Sequence, residues 1–290
     1  MTNIDGNTHI FGVVGNPVNH SFSPYIHNLL AAKLNINMAY IPLAVKKTNV
    51  DHLIDSLKTL NIYGCNVTVP YKVDVIKQLD VVDKKAILIG AVNTIKIVDQ
   101  VAYGYNTDLD GIKKALEKQK VNLEGKTVLI IGAGGAAKAV AVMCGDANVK
   151  KLIIMNRTRK KAKELCETIK KSYEIDCEDA SYEDTHIFGE CQVAFQTTSI
   201  GMHPNLLSSP IKEPKYLSKL DFAMDIIYNP RETRFMKDMQ EMGIKTINGL
   251  SMLYNQAISA FEIWQDITID YEISELVYRD FVNYLDGLVD

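Results

Sequence analysis

The chain has 290 residues, 47% of them hydrophobic and 23% charged, with a formal net charge of −3 at pH 7. That length exceeds what a single core usually serves, so two domains are expected. The near-neutral balance leaves no basic nucleic-acid face, no apolar run reaches the roughly 18 residues that cross a bilayer, and no secretion signal precedes the first strand. A cytoplasmic protein with neither nucleic-acid nor membrane partners is therefore expected.

Cys65, Cys144, Cys166, Cys177 and Cys191 are widely spaced and form no C-x-x-C motif. They are expected to be reduced and buried, without a disulfide framework or a zinc site. His20 and His27 have a spacing that can put both on one helix face, but no third ligand accompanies them and no metal is expected.

Along residues 9–106 short apolar strands alternate with amphipathic segments. Ile10-Phe11-Gly12-Val13-Val14 reads as a strand, Ile26, Leu29, Leu30 and Leu34 as a helical stripe, and Ala39-Tyr40-Ile41-Pro42-Leu43 as a second strand. Val50, Leu53, Ile54, Leu57 and Leu60 make another helical stripe. Residues 64–69 form a third strand, whose alternation sets Asn66 and Thr68 on one face and Val67 and Val69 on the other. Residues 93–98 and 101–105 form a hairpin turning at Asp99-Gln100. A helix over residues 108–119, with Ile112, Ala115 and Leu116 on one face, bridges to a second domain.

That domain opens with Lys126-Thr127-Val128-Leu129-Ile130-Ile131, an apolar strand running into Gly132-Ala133-Gly134-Gly135-Ala136-Ala137. A strand, a glycine turn and a small-residue helix form a pyrophosphate site: Gly132 permits the turn, Gly134 a close backbone approach, and Ala137 tight helix packing. About 20 residues on, where an acid would grip a ribose hydroxyl, the chain reads Asn156-Arg157-Thr158-Arg159-Lys160-Lys161. Cations and a hydroxyl there suit a 2′-phosphate, so the cofactor expected is NADP. A helix carrying Ala162, Leu165, Cys166 and Ile169, with strands over residues 152–155, 192–196 and 222–227, continues a parallel sheet wound on both faces. Beyond Gly243 two helical stripes follow: Leu250, Leu253, Tyr254, Ala257, Ile258 and Phe261, then Ile273, Leu276, Val277, Phe281 and Leu285. With no strand left to join, these helices are expected to return to the first domain.

Four polar clusters lie beside the apolar strands of the first domain. They are Ser21-Phe22-Ser23-Pro24, Asn66-Val67-Thr68-Val69-Pro70-Tyr71-Lys72, Gly90-Ala91-Val92-Asn93-Thr94 and Gly104-Tyr105-Asn106-Thr107-Asp108. Ser23 equally suits a helix N-cap, as do Thr107 and Asp108. Together they offer hydroxyl, amide, carboxylate and ammonium groups, the equipment for a small polyhydroxylated acid.

With Gly15-Asn16-Pro17, His20-Ser21, Asn248-Gly249-Leu250 and Gln256-Ala257, these motifs run through nearly the whole chain in the order of the shikimate/quinate dehydrogenase family, which the chain resembles. The resemblance implies an α/β substrate domain, residues 1–107 completed by the helices of residues 244–290, and a Rossmann-type doubly wound NADP domain, residues 108–243. It implies reversible NADPH-dependent reduction of 3-dehydroshikimate to shikimate on the route to chorismate and the aromatic amino acids, with no metal. Lys72, paired with Asp108, would be the proton donor and acceptor. Ser21 and Ser23, helped by Tyr228, would bind the substrate carboxylate, and Thr68, Asn93, Asp108 and Gln256 the ring hydroxyls. Gly132, Ala133, Gly134, Gly135 and Ala136 would cradle the pyrophosphate, Asn156, Arg157, Thr158 and Lys161 the 2′-phosphate, and Ile226 and Gly249 the nicotinamide.

The chain departs from the family pattern at Gln196-Thr197-Thr198-Ser199 and at Ser251, which puts contacts near the nicotinamide in question. A quinate-tolerant dehydrogenase and a non-catalytic NADP-binding sensor are the competing readings; the joint presence of Lys72 and Asp108 argues against a sensor, which needs no proton donor. A monomer or a homodimer is expected.

Overall fold

A computed structural model describes residues 4–287. The chain divides into two units, the first running to Asp110 and resuming at Tyr254, the second comprising Gly111–Leu253.

In the first unit, β1 (His9–Gly15), α1 (Ser23–Lys33) and β2 (Met38–Ala44) make the expected βαβ unit, with β1 and β2 parallel. The helix α2 (Leu53–Thr59) and β3 (Ile62–Val67) follow. Then come β4 (Val81–Val82), α3 (Lys84–Ile89), β5 (Thr94–Val98), β6 (Val101–Tyr105) and the start of α4 (Asp108–Lys118). The six strands form one mixed sheet in the order β2-β1-β3-β5-β6-β4. Pro42 is tolerated because β2 lies at the sheet edge, where a missing N–H breaks no ladder. Asp99 and Gln100 both have positive φ, 48° and 64°, the backbone that a tight two-residue hairpin requires.

Several local expectations are corrected. The third strand stops at Val67 and the chain turns away, so Thr68 and Val69 do not continue the alternation and Val69 is exposed. Leu60 lies beyond α2 and is exposed. Ser23 is the first residue of α1 rather than its cap; Phe22 is the N-cap, and Ser21 Oγ accepts the Ser23 N–H at 3.3 Å. His20 precedes α1, so it shares no helix face with His27, which is fully buried and stacked on Tyr40 at 4.3 Å.

The second unit contains β7 (Thr127–Ile131), α5 (Gly135–Asp146), β8 (Lys151–Met155), α6 (Arg159–Ser172) and β9 (Asp176–Ala180). It continues with β10 (Val193–Gln196), β11 (Phe222–Asp225), α7 (Arg234–Glu241) and β12 (Lys245–Ile247). All six strands are parallel, in the order β12-β11-β10-β7-β8-β9. That is the doubly wound dinucleotide-binding order, with its switch point between β7 and β10. The strand expected over residues 222–227 ends at Asp225. The edge strands β9 and β12 had no apolar run to announce them.

Of the two C-terminal helices, α8 (Leu250–Gln265) packs on the first unit's sheet and α9 (Tyr271–Asp286) packs on α1. Trp264 Nε1 donates to Ile95 O at 2.9 Å, lying so close over Gly64 that no side chain fits there. Tyr284 stacks on Tyr25 at 3.8 Å, and Asp280 pairs with Lys33 at 3.1 Å. All five cysteines are free and buried. Among the described residues, no helix is long and apolar enough to cross a membrane.

Candidate active site

Backbone hydrogen bonds fix the loop that follows β3. Thr68 N donates to Val14 O at 2.8 Å, Asn16 N to Val69 O at 3.2 Å, and Val92 N to Lys72 O at 2.8 Å. Tyr71 is buried and donates its hydroxyl to Val45 O at 2.6 Å, which anchors the loop beside Lys72. From the opposite side, α3 is capped by Asp83 and stopped by Gly90 in the left-handed region at φ 65°, which redirects the chain into Asn93.

These segments converge on Asp108, the first residue of α4, where the helix dipole favours a carboxylate. Lys72 Nζ stands 2.5 Å from Asp108 Oδ2, with side-chain exposures of 23% and 9%. Asn93 Nδ2 donates to Asp108 Oδ1 at 2.8 Å. Asn106 Oδ1 accepts the Asp108 N–H at 3.1 Å, and its amide is tied to Ala91 O at 2.8 Å. An ammonium that is partly open, on a nearly buried carboxylate held by Asn93, can deliver a proton to an oxygen placed beside it.

Thr68 belongs to the same loop as Lys72 and packs its methyl group against Gly15. Ser21 and Ser23 lie at the start of α1, Ser23 being buried, and Gln256 is buried on α8, so all of these belong to the first unit. Tyr228 belongs to the second unit, just beyond β11, where burial raises the pKa of its hydroxyl. Of the polar residues behind Asn93, Asn66, Thr94 and Thr107 fall in the polar clusters read from the sequence but have no role assigned by the family resemblance, and Tyr40 falls in none. Asn66 and Thr94 carried a signal, being amide and hydroxyl groups inside apolar strands, whereas Tyr40 reads as one more aromatic residue of an apolar strand.

In the second unit, Gly132 has φ 119°, and a Cβ there would overlap the Thr197 hydroxyl of the loop after β10. That loop is tied down by Thr197 Oγ1 donating to Ile131 O at 2.7 Å, and the buried Gln196 holds Thr198 N at 2.6 Å. Gly134 caps α5, and a Cβ on Gly134 or Gly135 would meet nothing within 4 Å. The helix N-terminus is thus open to a phosphate, as a pyrophosphate cradle requires, and the residues present fit NADP. After β8, Asn156 Nδ2 donates to Thr158 O at 2.9 Å, shaping a loop on which Arg157 and Thr158 are exposed, and Lys161 is exposed on the first turn of α6. Arg159 is engaged elsewhere, donating to Asp179 Oδ2 at 2.7 Å. Gly249 N donates to Ile227 O at 3.0 Å, and any side chain on Gly249 would strike the Ile226 carbonyl, so the two expected nicotinamide neighbours touch. Beneath them, burial pushes the Asp225 carboxyl up to about 6, against the hydrogen bonds it accepts from Ile227 N and Thr233 Oγ1.

A parallel sheet in this order with a glycine turn at its switch point, in a chain that also carries a lysine–carboxylate pair, defines a nicotinamide-dinucleotide oxidoreductase of the Rossmann type. Comparison with known proteins narrows the class. The family profile for the shikimate dehydrogenase substrate binding domain matches residues 13–95, and that for shikimate/quinate 5-dehydrogenase matches residues 114–252. Shikimate dehydrogenase (NADP(+)) of Methanosphaera stadtmanae is 43% identical over 288 residues, covering 98% of this chain and all of the relative. A crystal structure of a shikimate dehydrogenase in complex with NADP+ aligns with a TM-score of 0.88 at 38% identity, covering 96% of this chain and 97% of the other. The Listeria monocytogenes shikimate 5-dehydrogenase, in complex with shikimate and NAD, aligns with a TM-score of 0.88 at 30% identity over 96% and 98% of the two chains. The chain belongs to the shikimate dehydrogenase family.

Proposed function

We propose that the protein catalyses the reversible NADPH-dependent reduction of 3-dehydroshikimate to shikimate, a step toward chorismate and the aromatic amino acids. The observation that carries this reading is the contact of Lys72 Nζ with Asp108 Oδ2 at 2.5 Å, in a chain whose relatives bear that activity in their names. The first unit is the substrate domain and the second the NADP domain.

NADPH, when bound, supplies the hydride that turns the ring ketone into an alkoxide. Lys72 hydrogen-bonds that oxygen and gives it a proton, while Asp108 keeps the ammonium in place and accepts a ring hydroxyl. A lysine ammonium beside the ketone oxygen is the acid the reaction needs. Thr68, Asn93 and Gln256 hold the ring hydroxyls, and Ser21, Ser23 and Tyr228 the carboxylate.

On the cofactor, Gly132, Ala133, Gly134, Gly135 and Ala136 hold the pyrophosphate. Asn156, Arg157, Thr158 and Lys161 hold the 2′-phosphate, and Ile226 and Gly249 border the nicotinamide. Arg157 favours NADPH over NADH because a guanidinium without a phosphate partner gains nothing from a ribose hydroxyl. The test is a steady-state assay of the purified protein with 3-dehydroshikimate or 3-dehydroquinate, each with NADPH and NADH. Oxidation of NADPH with 3-dehydroshikimate as the strongly preferred pair is expected; binding of NADP without turnover would mean a sensor instead.

A further inference from the structure

The orientation of the Asn93 side-chain amide decides whether Asp108 meets a donor or an acceptor. Its carbonyl and amino ends are nearly equal in shape, so only hydrogen-bond partners can distinguish them. Thr107 N donates to Asn93 Oδ1 at 2.8 Å, and two hydroxyls face the same oxygen: Thr94 Oγ1 at 3.0 Å and Thr107 Oγ1 at 3.2 Å.

Behind Asn93 the bonds continue as one directed series. The Tyr40 hydroxyl donates to Asn66 Oδ1 at 2.7 Å, and Asn66 Nδ2 donates to Thr94 Oγ1 at 3.0 Å. Thr94 Oγ1 donates to Asn93 Oδ1 at 3.0 Å, and Asn93 Nδ2 donates to Asp108 Oδ1 at 2.8 Å. Every donor points toward the carboxylate, and Tyr40, Asn66, Thr94 and Asn93 are all buried. A buried series of this kind is cooperative, and reversing one member would set donor against donor at one of its ends and acceptor against acceptor at the other. The Thr107 backbone N–H fixes the sense at the Asn93 end, because it can only donate, and the Tyr40 phenol closes the far end as a donor to Asn66.

We propose that Thr94, backed by Asn66 and Tyr40, is a positioning residue for the reduction. Together with the Thr107 N–H, its hydroxyl holds the Asn93 amide with Nδ2 toward Asp108, and so keeps the Lys72–Asp108 pair aligned with the ketone oxygen. This rests on the dehydrogenase reading for its kinetic consequence and on hydrogen bonds alone for its geometry. The sequence separates the two ends of the series by 68 residues, and the β2–β1–β3 order together with the β3–β5 register, in which Asn66 lies opposite Thr94, joins them.

The test compares Thr94→Val, which keeps the shape and loses the hydroxyl, with Thr94→Ser, which keeps the hydroxyl and loses the methyl group. Two quantities are read: kcat with 3-dehydroshikimate, and the side-chain amide resonances of Asn93 in substrate-free protein labelled with ¹⁵N-asparagine. Expected are a loss of about tenfold or more in kcat and a moved Asn93 amide in Thr94→Val, with both near wild type in Thr94→Ser. A purely packing role predicts the reverse order, with valine benign and serine damaging, and that result overturns the proposal. An unmoved Asn93 amide in Thr94→Val overturns it as well. Should Thr94→Val not fold, Tyr40→Phe removes only the first donor and must shift the same amide and lower kcat; wild-type values there overturn the proposal. Wild-type protein inert toward 3-dehydroshikimate would instead count against the dehydrogenase reading, with the amide shift still deciding the geometry.

Discussion

Asn93 Nδ2 holds Asp108 Oδ1 at 2.8 Å while Lys72 Nζ stands 2.5 Å from Oδ2, so the two oxygens of one carboxylate are divided between an amide and an ammonium. The amide fixes the carboxylate and the carboxylate fixes the ammonium. Asp108→Asn would put an N–H against one of those donors and release the lysine. We therefore expect that substitution to lower kcat in steady-state assays by about a hundredfold, because alignment of the proton donor contributes on that scale.

Removing the proton donor itself should act on chemistry and spare the fold. Lys72→Ala is expected to lower kcat by about 10²–10⁴-fold, the usual contribution of a general acid, with the thermal midpoint little changed. A loss of less than tenfold would mean that another group protonates the alkoxide.

The loop after β8 should set cofactor preference. Arg157 is exposed beyond β8, whereas Arg159 is held by Asp179. Arg157→Ala is expected to raise the KM for NADPH by tenfold or more and to leave that for NADH nearly unchanged, since a charge-assisted bond to phosphate is worth about 1.5–3 kcal/mol. Equal losses for both cofactors would remove Arg157 from the phosphate site.

At Gly132 the backbone sits at φ 119°, and an added methyl group would overlap the Thr197 hydroxyl. Gly132→Ala is expected to cost on the order of 2 kcal/mol by denaturant unfolding and to weaken NADP binding, because both the strain and the overlap fall on the turn after β7. Gly134→Ala meets no protein atom, so its effect should fall on cofactor binding and leave stability nearly intact.

His27 gives a stability prediction with a definite sign. Burial pushes its pKa down from 6.5 to about 3, and Asn66, outside hydrogen-bond geometry, offsets only part of that. The unfolded chain therefore binds a proton that the folded chain refuses. Stability from this group is complete above pH 6.5 and is lost as pH falls toward 3, by about 2 kcal/mol at pH 5. Asp225 has the opposite sign: its pKa is raised from 3.8 to about 6, so its contribution declines as pH rises through that interval. In thermal melts from pH 7 to 5 wild type should lose stability relative to His27→Leu as pH falls, and parallel curves would contradict this account.

The parts of the molecule that were legible in the sequence are those written in short-range patterns. The strand of residues 127–131, its glycine turn and α5 follow from apolar continuity and from a backbone that needs glycine, and α8 and α9 follow from stripes at helical spacing. The hairpin of β5 and β6 was visible because its turn lies between two alternating runs. By contrast, β9 reads Asp176-Cys177-Glu178-Asp179-Ala180 and lies at a sheet edge, where only two of five side chains are fully buried. Such strands exist because a neighbour offers a ladder to pair with, which local composition does not record.

The same division runs through the candidate site. The residue types at 72, 93 and 108 announced acid–base and hydroxyl chemistry on their own, and family resemblance assigned them roles. That Lys72 and Asp108 touch, that Asn93 bridges to them, and that Tyr40 stands at the head of the series reaching them were decided by sheet order and strand register. Periodicity fixes which face a side chain occupies within its own element, because that depends on neighbours a few residues away. Which two faces meet depends on how distant elements pair and bury one another, and that is a property of the folded chain as a whole.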